Sequence, residues 1–372
     1  MSETASRMAL AAERELEALV AVSSPSGDLS GAEECVSLAT AFMPTEAEVE
    51  RVECSSANHA DDLIGRLRGS GDKRIVLLGH LDTVVHHVAH RPLERDGDRL
   101  VGSGAVDMKG GVALSLALMR ELATRPELYA EVAVLLVNDE EWRTAPFVHA
   151  QRFAGFDGCL CFEGGERRPD GSEAVIVKRK AAATLLVNAH GRPSHSGSAP
   201  ELGRSALLAL GEAARAVAAA HDPSGSAHLT AVPTVLRAGD AFNVVPGRGE
   251  LYCDLRADEI DAIEAVLDAI PDEHEGVRLE AELIRRWPGM HSEEATAELL
   301  ARASDALGRP IVPRARGGAS DASHVAAAVP VTVDGLGPRG GAAHNPDEYV
   351  LEASLASRAE VALAMIAGAL AG

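Results

Sequence analysis

The first half of the chain alternates short apolar runs with longer stretches of helical periodicity. Apolar runs of about four to eight residues, bounded by polar ones, are typical of strands buried on both faces. Such runs occupy residues 73–79, 131–137 and 157–162, and residues 109–124 carry a helical pattern that opens with glycines. Because β-α-β units pair their strands in parallel, this order predicts a parallel sheet with helices on both faces.

From about residue 181 the pattern changes to alternating polar and apolar positions. Successive segments predict a strand, a helix, two strands, a helix and a strand, which is a ferredoxin-like order. These segments are residues 183–190, 204–221, 229–238, 249–257, 258–270 and 277–286, with Asp258 as the N-cap of the second helix. From Met290 onward, short apolar runs again alternate with stretches of helical periodicity. Residues 330–334 predict one more buried strand. We therefore expect an α/β domain, residues 1–180 and 288–372, interrupted by an inserted α+β domain, residues 181–287.

Composition and charge narrow the class of protein. The 372 residues are 46% hydrophobic and 24% charged, as in a folded globular chain of two domains. A net charge of −21 and an aromatic content of 3% argue against a nucleic-acid or anionic-membrane surface. The start lacks the pattern of a secretory signal, and no apolar run approaches a membrane span. With five scattered cysteines that predict no disulfide framework, a cytoplasmic protein is expected.

Polar side chains that suit a metal ion stand at the ends of the predicted strands. His80 ends the first strand, and Asp82 lies two residues later, where a carboxylate can orient a metal-bound imidazole. Taken alone, His80 is equally compatible with a residue that caps a loop. Asp107 stands between glycines just before a predicted helix, a position that also suits an ordinary N-cap aspartate.

Two further strand ends and a glycine-rich loop carry similar residues. Glu140 and Glu141 follow the strand at residues 131–137, Glu163 follows the strand at 157–162, and His344 lies in a loop near the C-terminus. Adjacent carboxylates at a strand end form either a solvated acidic turn or a cation site. Imidazole and carboxylate without thiolate suit Zn²⁺, and also Co²⁺ or Mn²⁺. The whole set has too many ligands for one tetrahedral ion that keeps a coordination position open for water. It fits two ions that share one carboxylate.

Five ordered motifs resemble one enzyme family. GHLDTV, GSGAVDMKGG, DEEW, the strand end at Glu163 and AAHNPDE resemble the co-catalytic zinc hydrolases. These include acetylornithine deacetylase, succinyl-diaminopimelate desuccinylase and glutamate carboxypeptidase, and PSHSGSAPELGRSAL is most similar to the last branch. The resemblance covers nearly the whole chain. It implies a zinc-peptidase α/β fold with a mostly parallel sheet, interrupted by an inserted domain that forms a lid and a homodimer interface.

The resemblance also implies a role for each motif residue. Asp107 would bridge two divalent ions, most often Zn²⁺, and the peptide bond after it is often cis in this family. The other implied ligands are His80 and Glu163 for one ion and Glu141 and His344 for the other. Glu140 would be the general base, and Asp82 would orient His80.

Residues of the inserted domain and of a glycine-rich loop are implied as further site components. His195 would reach into the partner subunit's site to stabilise the oxyanion. The implied substrate contacts are Asn243, Arg256, Arg179, Arg316 and Gly318. Arginine suits a carboxylate because its planar fork can bind two oxygens at once, but the sequence leaves open which arginine binds it.

The expected reaction is hydrolysis of an amide bond next to a carboxylate, which releases a C-terminal amino acid. The alternatives are an N-acyl amino acid deacetylase or desuccinylase, a non-catalytic binding protein on the same fold, and a serine hydrolase. The last lacks support because no strict G-x-S-x-G is present. One segment departs from the family: Trp142-Arg143-Thr144-Ala145 stands where a small Gly-Ser stretch is usual, which leaves the pocket shape open. His86, His87 and His90 are interpreted as a loop near the pocket rather than as ligands.

Overall fold

A computed structural model describes residues 2–371, which form two compact units. The first unit holds the chain up to Lys178, Met290–Ala315 and the chain from Ser320 onward. The second unit holds Arg179–Gly289 and the short segment Arg316–Ala319. That segment groups with the second unit, whereas the division drawn from the sequence put it in the first.

The described helices and strands are numbered in chain order. The helices are α1 Ser2–Ala21, α2 Leu29–Phe42, α3 Gly110–Ala123, α4 Ala206–Ala219, α5 Ile260–Glu264, α6 Ala297–Leu307, α7 Asp321–Ala326 and α8 Glu352–Leu370. The strands are β1 Glu48–Val52, β2 Asp62–Arg68, β3 Arg74–His80, β4 Glu94–Asp96, β5 Arg99–Val101, β6 Glu131–Val137, β7 Gly158–Cys161, β8 Glu166–Arg167, β9 Glu173–Arg179, β10 Ala181–His190, β11 Ser194–His195, β12 Thr230–Ala238, β13 Val244–Val245, β14 Arg248–Ala257, β15 Glu273–His274, β16 Val277–Trp287, β17 Met290–His291, β18 Ile311–Arg316, β19 Thr332–Val333, β20 Gly340–Gly341 and β21 Tyr349–Leu351.

The central sheet of the first unit has the order β1-β2-β6-β3-β7-β19. The pairs β6–β3, β3–β7 and β7–β19 are parallel, as the β-α-β pattern predicts. At one edge β2 runs antiparallel to β6, and β1 pairs antiparallel with β2, so the sheet is mixed. The sequence did not predict this edge, because β1 is mostly exposed and lacks an apolar run.

Strand β6 shows why a continuous apolar run makes a central strand. All seven of its residues are buried. Val132, Val134 and Leu136 pack into the core formed with helices α1, α3, α6 and α8. Ala133, Leu135 and Val137 pack into the core on the opposite face, which includes α7 residues. Since successive side chains of a strand point to opposite faces, a strand covered on both sides must be apolar at every position.

The second unit is an antiparallel sheet in the order β12-β14-β10-β16-β15. Helices α4 and α5 contribute buried residues to the core that these strands share. The principal elements follow the predicted order of strand, helix, strand, strand, helix and strand, so the unit is ferredoxin-like. One prediction here is wrong: α5 spans only Ile260–Glu264, its N-cap is Glu259, and the Asp258 carboxylate instead lies 3.2 Å from His228 Nδ1.

Helix α8 is long and apolar enough to cross a bilayer by length and composition. More than half of this stretch is buried inside the fold, where Leu355, Val361 and Met365 pack into the first unit's core. Core helices commonly share these properties, so α8 is described as a core helix.

The five cysteines are all buried and free of disulfides. Cys35, Cys54, Cys159 and Cys161 lie in the first unit and Cys253 lies in the second. Burial raises the pKa of Cys253 to about 11, and it also raises the pKa of Cys54, Cys159 and Cys161 above the ordinary value.

Candidate metal centre

Three neighbouring parallel strands of the first unit end at one edge of the sheet. His80 is the last residue of β3, Glu140 and Glu141 follow β6, and Glu163 follows β7. Since β6, β3 and β7 are adjacent and parallel, their carboxyl ends meet there. This is the edge at which open α/β sheets form their sites.

Asp107 is held at the same edge by an irregular helical turn, Ala105–Lys109, that leads into α3. Gly104 opens this turn with φ +76°, a conformation that L side chains rarely adopt. The peptide bond from Asp107 to Met108 is cis, in line with the resemblance. The turn is fixed by Glu348, whose carboxylate accepts hydrogen bonds from the backbone N–H of Gly104, Val106 and Asp107 at 3.1, 2.7 and 2.8 Å.

Sequence reasoning missed Glu348, although it ends the motif AAHNPDE that also contains His344. The residue is buried, and burial raises the pKa of its carboxyl to about 8. Its three backbone contacts link the loop of one implied ligand, His344, to the turn of another, Asp107. Three N–H donors converging on one carboxylate are visible only in the folded chain.

The two carboxylate oxygens of Asp107 face two separate groups of donors. Its Oδ1 lies 3.2 Å from His80 Nε2, which is 3.7 Å from Glu163 Oε1. Its Oδ2 lies 3.1 Å from His344 Nε2, which is 3.4 Å from Glu141 Oε2. The structure thus brings the five predicted ligands together as two groups that share Asp107.

Asp82 joins the ends of β3 and β6. Its backbone carbonyl and its carboxylate Oδ1 lie 3.0 and 3.3 Å from His80 Nδ1. An acceptor on Nδ1 leaves His80 Nε2, which faces Asp107, as the ligand atom. The same carboxylate accepts hydrogen bonds from the backbone N–H of Glu140 and Glu141 at 3.2 and 3.1 Å. Asp82 therefore contacts the imidazole of His80 and also fixes the loop after β6.

The electrostatics of the centre are those of a crowded anionic cluster. Burial is the largest cause that raises the pKa of Glu140 well above its ordinary value, and the neighbouring Glu141 adds to it. Burial likewise raises the pKa of Glu141. Hydrogen bonds to Asp107 and Glu141 raise the pKa of His344 to about 11. For His80, burial acts in the opposite direction, but contacts with Asp107 and Asp82 hold its pKa well above the ordinary value.

The donor set fits two divalent ions. Imidazole nitrogens and carboxylate oxygens bind Zn²⁺ at about 2.0–2.2 Å, so tetrahedral ligand atoms lie roughly 3.3–3.6 Å apart. The separations of 3.1–3.7 Å within each group match that spacing. Excess negative charge in a partly buried cluster is what a bound cation compensates. These residues can therefore hold two ions, with Asp107 common to both.

The segment that departs from the family, residues 142–145, contains one large exposed side chain and one large buried side chain. The ring of Trp142 is half exposed and lies edge-on to His86, with ring centroids 5.6 Å apart. The Arg143 side chain is buried and paired with Asp139 and Asp321. His87 contacts Ser23 and Asp28, and the loop of His86, His87 and His90 contributes no donor to the two groups around Asp107.

In the second unit, His195 is exposed on the short ribbon β11–β13. Its Nδ1 accepts hydrogen bonds from the backbone N–H of Gly197 and Ser198 at 3.1 and 3.2 Å. In the neutral imidazole the proton then sits on Nε2, which becomes a hydrogen-bond donor. Asn243 is held beside His195, because its carbonyl accepts from the N–H of Ser196 at 3.0 Å.

The arginines predicted to meet substrate surround the segment Arg316–Ala319 of the same unit. Arg179 is buried and donates to Gly318 O at 2.6 Å. Arg256 donates to Gly317 O at 2.9 Å and also contacts the Asp254 carboxylate. Both side chains therefore hold the backbone of this glycine-rich segment, which also carries Arg316.

A comparison with known families agrees with this site. The family model described as peptidase family M20/M25/M40 matches residues 76–368, which is most of the chain. The chain belongs to this peptidase family. Peptidase family M20/M25/M40 consists of metal-dependent hydrolases, so the protein is a metal-dependent enzyme that hydrolyses amide bonds.

Individual relatives and solved structures agree with membership in peptidase family M20/M25/M40. Carboxypeptidase G2 of Pseudomonas sp. is 26% identical over 374 residues, which cover 94% of this chain and 87% of that protein. A succinyl-diaminopimelate desuccinylase of Rhodospirillum centenum is 31% identical over 275 residues, 69% of each chain. The crystal structure of an aminopeptidase PepT from Bacillus cereus superposes with a TM-score of 0.77 at 22% identity, covering 98% of this chain and 99% of that one, and confirms the fold.

Proposed function

We propose that the protein hydrolyses an amide bond next to a carboxylate and releases a C-terminal amino acid from a small peptide or an N-acyl amino acid. The observation that carries the proposal is Asp107, whose two oxygens face two separate histidine–carboxylate pairs. His80 and Glu163 would hold one ion, and Glu141 and His344 the other. The similarity to a carboxypeptidase over 94% of the chain supports the choice of substrate.

Glu140 is proposed as the general base. Two divalent ions, proposed as Zn²⁺ with Co²⁺ or Mn²⁺ as alternatives, lower the pKa of water and polarise the scissile carbonyl when bound. Glu140 lies beside His80 and Glu141, and its backbone is fixed by Asp82. Its carboxylate would take a proton from the attacking water and then deliver that proton to the leaving nitrogen.

His195 is proposed to act in the active site of the partner subunit of a homodimer, where Nε2 donates a hydrogen bond to the oxyanion. Its Nδ1 is occupied by backbone N–H groups, which leaves Nε2 as the donor. A dimer interface is supported by β12, which lies at an edge of the second unit's sheet. Val232, Val235 and Leu236 on that strand are exposed, and an exposed apolar edge strand favours pairing with a second copy.

Mixing two inactive variants tests the dimer proposal. His195→Ala and Glu140→Gln homodimers should each be nearly inactive. In a mixed dimer one site combines an intact Glu140 with His195 of the partner subunit, so random exchange should restore about a quarter of the wild-type activity. Activity that stays at the level of the separate variants after confirmed subunit exchange would show that His195 acts within its own chain.

The substrate carboxylate is proposed to be bound by arginine around the segment Arg316–Ala319. Arg179 and Arg256 already donate to the carbonyls of Gly318 and Gly317, so both guanidinium groups are held there. The proposed set of substrate contacts consists of these two arginines together with Asn243, Arg316 and Gly318. Replacement of an arginine by lysine should raise KM for substrates with a free carboxylate far more than for the corresponding amides.

The second candidate function is deacylation of N-acetyl or N-succinyl amino acids in a cytoplasmic pathway of amino acid metabolism. The desuccinylase relative at 31% identity favours it. A hydrolysis screen of dipeptides, N-acyl amino acids and their amides, with Zn²⁺, Co²⁺ or Mn²⁺ added, separates the two. Preference for short acyl groups would favour the deacylase, and full turnover in the presence of a strong chelator would contradict both.

A further inference from the structure

Arg143 is one of the most completely buried cations of the first unit. Its side chain is 1% exposed although it lies only two residues after the proposed ligand Glu141. A buried charge is expensive unless it is paired and hydrogen-bonded, so its partners determine what it does. Burial also removes it from solvent, so its guanidinium is not a site for a substrate carboxylate.

Two buried carboxylates, those of Asp139 and Asp321, bind two edges of the Arg143 guanidinium. Its Nε and Nη2 donate to Asp139 Oδ1 at 2.9 and 2.6 Å, which closes the loop after β6 on itself. Its Nη2 donates to Asp321 Oδ2 at 2.9 Å, and its Nη1 donates to the other oxygen of the same carboxylate. Asp321 opens α7, so this pair ties the loop to a helix that packs on the sheet. The guanidinium also lies 4.8 Å from the ring centroid of Phe147.

Four successive residues of the loop before Arg143, Asn138 to Glu141, are held by hydrogen bonds. The N–H of Asn138 donates to Asp62 Oδ1 at 2.8 Å, and Asp139 Oδ2 accepts from the N–H of Ser56 at 2.9 Å. The N–H groups of Glu140 and Glu141 donate to Asp82. These anchors hold the side of the loop that faces the ends of β2 and β3. Arg143 supplies the remaining anchor, toward α7.

We propose that Arg143 is a positioning residue that fixes the placement of Glu140 and Glu141 by bridging Asp139 and Asp321. This inference rests on the proposed function, in which Glu140 is the base and Glu141 a ligand. It explains the departure from the family at this position: the small stretch is replaced by a residue whose charged end is locked inside the first unit. Two parallel hydrogen bonds to one carboxylate fix orientation as well as distance.

The opposite end of β6 offers a matched control. Glu131 is the first residue of that strand and is 2% exposed, with Arg66, Arg68 and Arg74 bound to its carboxylate. It is a buried ion-pair centre on the same strand, but it lies far from the candidate metal centre. Glu131→Gln should therefore lower stability while leaving turnover and ion binding at wild-type values.

The test compares three variants with the control Glu131→Gln. Two are the single variants Arg143→Met and Arg143→Lys. The third is a triple variant that combines Asp139→Asn, Arg143→Met and Asp321→Asn. The triple variant removes all three charges together, so no unpaired charge remains buried. We expect kcat to fall on the order of tenfold to a hundredfold in all three, with KM nearly unchanged, because the base is misplaced. Arg143→Lys keeps the positive charge but loses the planar guanidinium that donates to both oxygens of one carboxylate, so it should not restore kcat.

A second readout is independent of turnover. Competition with a chromogenic chelator measures Zn²⁺ affinity, and we expect at least one ion to bind more weakly in the Arg143 variants than in Glu131→Gln. The triple variant should recover thermal stability relative to Arg143→Met without recovering kcat or ion affinity. If it recovers all three, Arg143 has only a structural role and the proposal is wrong.

The two readouts also separate this proposal from the proposed function. If the wild-type protein cleaves none of the substrates, the proposed function fails, while the difference in Zn²⁺ affinity still supports positioning by Arg143. If the wild-type protein is active and the Arg143 variants match Glu131→Gln in both kcat and ion affinity, the proposed function stands and the positioning role is refuted.

Discussion

The two ends of strand β6 carry carboxylates in opposite electrostatic surroundings, with Glu131 buried and Glu140 partly buried. At the start of the strand, Glu131 is bound by Arg66, Arg68 and Arg74 at 2.6, 2.7 and 3.0 Å. Burial would raise its pKa, but the hydrogen bonds from Arg66 and Arg74 hold it below the ordinary value of 4.5. After the end of the strand, the pKa of Glu140 is instead raised well above that value by burial and by neighbouring carboxylates.

The contrast shows that the start of β6 carries an ion-pair cluster that stabilises the fold, whereas the residues after its end belong to the candidate metal centre. Charges balanced by arginines stabilise the fold and leave nothing for a cation to compensate. Carboxylates gathered around histidines leave excess negative charge that favours a bound ion. Burial alone therefore does not distinguish the two ends of the strand, whereas the type of partner does: arginines surround Glu131, and a histidine and further carboxylates surround Glu140.

The largest effect is expected from removal of divalent ions. Turnover should fall to background, and the melting temperature should fall because ions that bind only the folded chain stabilise it. The seven residues of β6 span roughly 20 Å, so the two ends should behave additively. The chelator-induced fall in Tm should thus be equal in the wild-type protein and in Glu131→Gln, and a clear inequality would mean that the two ends are coupled.

Glu140→Gln should give the next largest effect. Loss of a general base lowers kcat by about 10²–10⁴-fold, while an amide of the same shape leaves the fold and the ion groups in place. Steady-state kinetics together with the metal content of the purified variant check this. Near wild-type turnover with both ions bound would refute the assignment of the base.

Glu131→Gln should alter stability alone. Removing a buried partner of several arginines costs about 1–3 kcal/mol, reduced because Arg68 and Arg74 are about half exposed and solvent screens their charges. Urea unfolding measures the loss, and kcat serves as the internal control. A fall in kcat comparable to that of Glu140→Gln would contradict the division between the two ends.

The smallest effect is the acid dependence of that stability difference. Because the pKa of Glu131 is lower in the folded chain than its ordinary 4.5, its ionised form favours folding. This contribution is present above pH 4.5 and is lost as pH falls through the lowered value. The difference in unfolding free energy between the wild-type protein and Glu131→Gln should therefore be nearly constant at neutral pH and shrink as the pH falls below 4.5. A constant difference would show that ionisation of Glu131 is not its source.

Apolar patterning predicted most of the fold. The run at residues 131–137 coincides with β6, and the alternating segments after residue 181 coincide with the ferredoxin-like order of the second unit. The antiparallel edge formed by β1 was not predicted because an exposed edge strand has no apolar run. The N-cap assignment of Asp258 was wrong because its side chain lies against His228, a partner that local propensity does not reveal.

The candidate site was predicted as far as its residues fall in motifs. Ligand-type residues at strand ends pointed to His80, Glu141 and Glu163, since the carboxyl ends of parallel strands meet. The ion pair of Arg143 with Asp321 joins residues that are 178 positions apart, and no spacing rule links them. The role of Glu348 was not predicted for a related reason: its hydrogen-bond donors are backbone N–H groups, which every sequence carries.

The buried cysteines are natural probes of local unfolding. A thiol with a raised pKa, shielded from solvent, reacts with an alkylating reagent only when the surrounding structure opens. Cys253 lies in the second unit and the other four lie in the first, so labelling at each position reports on its own unit. Mass spectrometry of the labelled peptides would then show whether the two units open together or one before the other.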